Sequence, residues 1–288
     1  MKKLSIVTAI ALMMAGAASG DWIAKWDDDF TEDPPTFLDH WNEVTAGTGG
    51  ASVDTNSEEL IIEVGNENNA QRTEITTNTD QTGTETEFGG ASLYNFFNHD
   101  VRVTLGGVSL DGLPDATSGT TNRNQYWFSI GDNVGLPGGA PRESMVGFLI
   151  EHIDIGGDGD PLWRLLVEDR DSDGNDGPNT GVATNLSGAP TGMQFTLSGT
   201  NATMSIEGAT FDATGTGEMS FDIADFSDFT GDYNLNLGTR NSQDVDEKTV
   251  MKMDSFKVEV IPEPGTLAML GLGTIGIMLF RRRLRKTA

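Results

Sequence analysis

An all-β fold is what this sequence predicts: an antiparallel β-sandwich or jelly roll of about a dozen strands, followed by a C-terminal transmembrane helix. Three observations carry the prediction. Between Asp21 and Val260 the apolar residues recur with a period of two, not 3.6. No stretch of that body is a convincing amphipathic helix; the best candidate, Phe221–Phe229, is short and broken by Ser and Asp. After Ile261 the pattern changes to an uncharged run that ends in a basic cluster.

Taken in order, residues 1–20 read as a secretory signal peptide. Lys2 and Lys3 form a basic start, Ser5–Met14 an apolar run too short to span a bilayer, and Ala15–Gly20 a small-residue cleavage site. Residues 21–260 form the β-sandwich domain, a length that suits one sandwich. Its strand signals begin with the compact apolar run Glu59–Val64 and the alternating Val101, Val103 and Leu105. Tyr126, Phe128 and Ile130 share a face, and Met145–Ile150 is nearly continuous, as suits a buried central strand. Leu162, Arg164, Leu166 and Glu168 oppose Trp163, Leu165 and Val167. Phe195 and Leu197 pair with Met204 and Ile206 across a hairpin turn at Ser198–Asn201. Tyr233, Leu235 and Leu237 alternate with Asn, and Val250–Val260 reads as one closing strand. Polar, Gly-rich segments at Thr45–Gly50, Thr76–Gly90, Asp111–Asn124, Gly156–Asp160 and Asp171–Gly181 read as loops.

Residues 261–288 form a tripartite tail. Pro262, Glu263 and Pro264 come first, and two prolines hold a segment extended. Gly265–Phe280 spans about 24 Å as a helix, short of the roughly 30 Å of hydrocarbon, a gap that long basic side chains close by snorkelling. Arg281, Arg282, Arg283, Arg285 and Lys286 anchor that end in the cytoplasm and leave the body outside.

Charge excludes several function classes. Asp21–Pro264 holds all 44 acidic residues against 11 basic ones, a net charge of −33. Such a surface repels nucleic acid and anionic lipid and favours cations. With no cysteine in the chain, thiol catalysis, thiolate metal sites and iron–sulfur clusters are excluded. His40, His99 and His152 are scattered, which argues against zinc.

Asp169-Arg170-Asp171-Ser172-Asp173-Gly174 matches the first half of an EF-hand loop, D-x-D-x-D-G, with Asp176 as a further carboxylate. The loop's twelfth position is Thr180 where a bidentate Glu is needed, so calcium and a plain acidic hairpin tip both stay open. Asp154, Asp158 and Asp160 form a weaker acidic cluster. Glu151 and Asp154 are three apart, so a strand points them to opposite faces. Arg72 and Glu74 share a face of the same strand. Trp41, Trp127 and Trp163 are candidate sugar platforms, each equally a candidate core residue.

Pro262-Glu263-Pro264, the Gly-rich apolar span and the basic cluster together resemble the PEP-CTERM sorting signal of Gram-negative bacteria. The resemblance implies recognition by exosortase, a membrane protease that cuts near the Pro-Glu-Pro. It also implies transient anchoring in the inner membrane and association with extracellular polysaccharide or biofilm matrix. An anchor that is never cleaved is the alternative. The body resembles, at pattern level, the concanavalin A-like lectin and glucanase sandwich. The cues are Asp29-Phe30, the hairpin Phe195–Glu207 and the closing Met253–Val258. That family implies a curved sheet that often holds a sugar. In its laminarinase-like branch two carboxylates alternate on one strand, a pattern that Glu151 and Asp154 break. Arg72-Thr73-Glu74-Ile75 resembles part of the Arg-x-Glu-x-Arg strand of alginate lyases, with Thr76 where the last Arg belongs; His152 is present without the Gln of the partner motif. The expectation is an exported, non-enzymatic surface or matrix protein that binds polysaccharide. The alternatives are a lyase-like polysaccharide-active enzyme using Arg72 and Glu74, and a calcium-stabilised structural protein. Convergence of Arg72, Glu74, His152 and a Tyr in one groove distinguishes the enzyme.

Overall fold

A computed structural model describes residues 23–30, 41–54, 57–65, 72–77, 100–112, 122–131, 145–155, 160–170, 182–223, 234–241 and 248–261. These residues hold 17 strands and no helix. In chain order they are β1 (Ile23–Asp28), β2 (Trp41–Ala46), β3 (Gly49–Asp54), β4 (Glu59–Val64), β5 (Arg72–Thr77), β6 (Asp100–Gly106), β7 (Ser109–Asp111), β8 (Asn122–Gly131) and β9 (Met145–Asp154). There follow β10 (Leu162–Arg170), β11 (Val182–Leu186), β12 (Gly192–Ser198), β13 (Asn201–Glu207), β14 (Glu218–Asp222), β15 (Asn234–Asn241), β16 (Thr249–Met253) and β17 (Ser255–Ile261).

The strands form three sheets, all paired antiparallel. Six strands run in the order β1-β17-β6-β12-β13-β14, seven in the order β11-β10-β9-β8-β15-β5-β2, and four in the order β3-β4-β16-β7. Alternation along each strand sends one set of side chains inward. Phe128 and Phe148 of the seven-stranded sheet meet Phe195 of the six-stranded sheet at ring separations of 6.1 Å, and Phe128 reaches Phe256 at 6.3 Å. Leu60, Ile62, Met251 and Met253 of the four-stranded sheet join the same core. Each such buried side chain contributes roughly 1.5–3 kcal/mol, which makes sheet-on-sheet packing the dominant source of stability.

The hairpin between β12 and β13 turns at Gly199, whose φ of 57° suits a residue without Cβ. Two readings of the sequence need correction. Val250–Val260 is two strands in two sheets, broken at the exposed Asp254. The burial parity switches there: Met251 and Met253 are buried before the break, Phe256, Val258 and Val260 after it. The supposed loop Thr45–Gly50 contributes residues to β2 and β3, with only Gly47 and Thr48 between them. Phe221, where the sequence offered no convincing helix, is a buried residue of β14. The strand number exceeds the expected dozen because short strands such as β3 and β7 carry too few apolar residues to register as a pattern. Among the described residues no helix is long and apolar enough to cross a membrane. The expected span, Gly265–Phe280, lies outside them, as do residues 1–20.

Candidate functional site

The strand registers of the seven-stranded sheet place its outward side chains, those opposite Tyr126, Phe148 and Leu237, in rows across neighbouring strands. One row runs Arg164, Glu151, Gln125, Arg240, Arg72. The next runs Leu166, Leu149, Trp127, Gly238, Glu74. A third includes Glu168, Ser129 and Asn236. Trp127, Leu149 and Leu166 form an apolar cluster separate from the main core, which shows that this face is a second packing surface.

Glu151 is the hub of the first row. Its side chain has no solvent exposure, and it accepts from Arg164 Nε at 2.5 Å, from Gln125 Nε2 at 2.5 Å and from Arg123 Nη1 at 3.3 Å. Arg123 comes from the adjoining position of β8 and is 40% exposed. A carboxylate withdrawn from water needs such partners, because an unpaired buried charge is very costly. At the other end of the row, Arg240 and Arg72 face each other as direct partners. Burial chiefly, then Arg123 and Arg72, hold the Arg240 guanidinium below its ordinary value; it remains charged at neutral pH.

In the second row the Trp127 indole packs against Gly238. A Cβ at position 238 would stand 2.2 Å from Trp127 Cζ2 and 2.7 Å from the Thr73 carbonyl oxygen. Trp127 is 1% exposed, and its Nε1 has no hydrogen-bond partner. Arg72 Nε and Asn236 Oδ1 are likewise buried without one. Among the described residues no such atom belongs to the six-stranded sheet.

Arg72 and Glu74 therefore lie on this face, with Glu74 1% exposed. His152 does not join them. It sits on the inward side of β9, stacked on Trp163 at 4.3 Å, and its Nδ1 donates to the Gly112 carbonyl at 2.9 Å. Burial lowers its pKa against the smaller opposing effect of that hydrogen bond. Tyr126 also points inward and donates to the Asp111 carbonyl, its pKa raised by burial and by Asp111. The convergence that marks a lyase-like centre is thus missing among the described residues. Glu151 lies on the outward side and Asp154 on the inward side of β9, so the glucanase arrangement is missing as well. Trp41 is core and Trp127 is covered, while Trp163 is half-buried between His152 and Tyr126.

Asp169 is buried on β10, on the side of Val167, directly opposite Val146. Asp171, Asp173 and Asp176, the rest of the expected calcium set, lie outside the described residues, as do Pro262, Glu263, Pro264, Arg281, Arg282, Arg283, Arg285 and Lys286. Among the described residues no group of three acidic or histidine side chains is placed to hold a metal. Sequence reasoning missed Arg240, Arg123, Gln125 and the hub role of Glu151. The alternation after Leu235 and Leu237 carried Arg240 to the outward face, but strand order decides that Arg72 lies opposite.

No curated protein matches the chain. It is similar to several solved structures. The CBM2 module of Lactobacillus casei BL23 phage J-1 evolved Dit is 11% identical over 85% of this chain and 98% of that one, with a TM-score of 0.47. Lectin UEA-II complexed with galactose is 11% identical over 85% and 100%, with a TM-score of 0.46. The exoplasmic/lumenal domain of VIP36 in its Ca2+/Man3GlcNAc-bound form is 8% identical over 83% and 89%, with a TM-score of 0.44. Residues 260–283 match the PEP-CTERM protein-sorting motif, so the C-terminus of this chain carries the signal of an exported protein sorted to the cell surface through exosortase.

Proposed function

We propose that this chain is a non-enzymatic surface or matrix protein. It is exported through residues 1–20, held transiently in the inner membrane by residues 261–288, processed at Pro262–Pro264, and left with its β-sandwich in contact with extracellular polysaccharide. The observation that carries the reading is where the sorting motif starts. The match begins at residue 260, and β17 ends at Ile261. A cut near Pro-Glu-Pro leaves the ladders of β17 with β1 and β6 whole, so the processed body keeps its fold. The polysaccharide part is supported by the outward face of the seven-stranded sheet, where the partly exposed guanidinium groups of Arg72, Arg123 and Arg240 are gathered. Sugar polymers engage such hydrogen-bond donors.

The test is Glu263→Ala in a host that supplies the sorting protease. Immunoblots of cell fractions are expected to show the variant at full length in the membrane fraction and the wild type shortened and outside. Normal processing of the variant would refute the sorting step. An uncut wild-type chain in the cytosol would refute export.

A further inference from the structure

Two like charges facing each other across an antiparallel ladder repel, yet Arg72 and Arg240 do so here. Among the described residues no carboxylate forms an ion pair with either, because Glu151 spends both its oxygens on Arg164, Arg123 and Gln125. Water relieves the repulsion only in part, since both arginines are half-buried. Solubility does not require this arrangement: the body is strongly acidic, and four of its 11 bases (Arg72, Arg123, Arg164 and Arg240) occupy one sheet face. Beside the pair, the buried Nε of Arg72 and Nε1 of Trp127 are donors without acceptors. Spare positive charge together with spare donors describes a seat for an anion.

We infer that Arg72 and Arg240, flanked by Arg123, seat the anionic group of an acidic polysaccharide, a uronate carboxylate or a sulfate ester. The inference rests on the polysaccharide reading above and names its substrate class. Cross-strand Cβ atoms stand roughly 4.5–5.5 Å apart, close enough for two guanidinium forks to share one bound group. The anion cancels the like-charge repulsion. The acidic remainder of the surface does not prevent this contact. At physiological salt the Debye length is about 8 Å, so distant charges are screened while the contact pair is not. That remainder confines a polyanion to this one face.

Affinity electrophoresis of the full-length chain in detergent, at about 150 mM salt, tests the inference with three polymers: polygalacturonate, dextran sulfate and neutral dextran. The wild type is expected to be retarded by an acidic polymer and not by dextran, and the better acidic polymer identifies carboxylate or sulfate. Arg72→Gln and Arg240→Gln are expected to weaken that retardation about tenfold. Arg102→Gln, on the six-stranded sheet, leaves it unchanged. The Tm of Arg240→Gln is expected at or above that of the wild type, because the repulsion is gone. If Arg240→Gln fails to fold, Arg240→Lys keeps the charge and removes the fork, and is expected to weaken retardation in the same direction. Equal retardation by dextran, unaffected by Arg240→Gln, overturns the anionic seat and leaves the polysaccharide reading standing. Equal losses in Arg102→Gln and Arg240→Gln overturn the seat in favour of diffuse charge. No retardation by any of the three overturns both.

Discussion

The outward faces of the two large sheets obey the same alternation and differ in what they hold. On the six-stranded sheet the outward residues are mostly short polar side chains that satisfy one another at the water boundary. Thr203 and Ser220 share a hydrogen bond at 2.9 Å, and Ser205 donates to Glu218 at 3.3 Å. Arg102 pairs with Glu259 at 2.7 Å while still partly exposed. On the seven-stranded sheet the outward residues Glu151, Gln125, Trp127, Glu74 and Asn236 are larger and buried, and Trp127 Nε1 and Asn236 Oδ1 have no hydrogen-bond partner among the described residues. A buried polar atom without a partner costs about 1–3 kcal/mol. A sheet face whose only task is to meet water has no reason to retain such atoms. The contrast teaches that two sheets built on one alternation can differ in how far their outer faces are desolvated.

The two ion pairs give the sharpest way to break this comparison. Glu151→Gln leaves Arg164 without its anion in a buried setting and is expected to destabilise the fold by about 3–5 kcal/mol. Glu259→Gln, at the partly exposed pair, is expected to cost under about 1 kcal/mol. Urea unfolding of both variants checks the difference, and equal losses would erase the distinction between the faces.

A smaller effect is expected from backbone packing. Gly238→Ala drives a methyl into the Trp127 ring and the Thr73 carbonyl and is expected to cost about 1–3 kcal/mol. Gly192→Ala on the six-stranded sheet meets only the flexible Glu207 side chain, at 3.1 Å, and is expected to cost less than about 1 kcal/mol. Thermal melts of the two variants measure this directly, with a blue-shifted or red-shifted Trp127 emission as a second readout for Gly238→Ala.

The smallest effect concerns the inward side of the seven-stranded sheet. Burial holds the His152 pKa below its ordinary 6.5, so the unfolded chain takes up a proton at higher pH than the folded one. The stabilisation is complete above about pH 6.5 and is lost as pH falls through that value towards the folded pKa, at no more than about 1.4 kcal/mol per pH unit. His152→Gln is expected to flatten the pH profile of stability, so that the wild-type-minus-variant difference falls between about pH 7.5 and 5.5. An unchanged pH slope in the variant would show that His152 is accessible to protons in the folded state.

Much of this architecture could be read from residue order. Phe195, Leu197, Met204 and Ile206 announced a hairpin, and Leu162–Glu168 announced its two faces, because side chains on a strand alternate strictly. The break at Asp254 was also written in the chain, as a change of apolar parity between Met253 and Phe256. A single closing strand was the wrong reading because local propensity continues through the break; only membership of two different sheets separates β16 from β17. Arg72 and Glu74 could be assigned to one face, but nothing local said that the face would be buried.

By itself the sequence determined the all-β class, the parity of most strands and the tripartite tail, because these depend on neighbours a few residues apart and on composition. Tertiary structure alone decided that Arg240 faces Arg72, that Glu151 gathers Arg123, Gln125 and Arg164, and that His152 lies on the far side of the sheet from Glu74. The physical reason is that strand order and register join residues far apart in the chain. The free energy that selects them is the burial of the whole core, which no short segment carries.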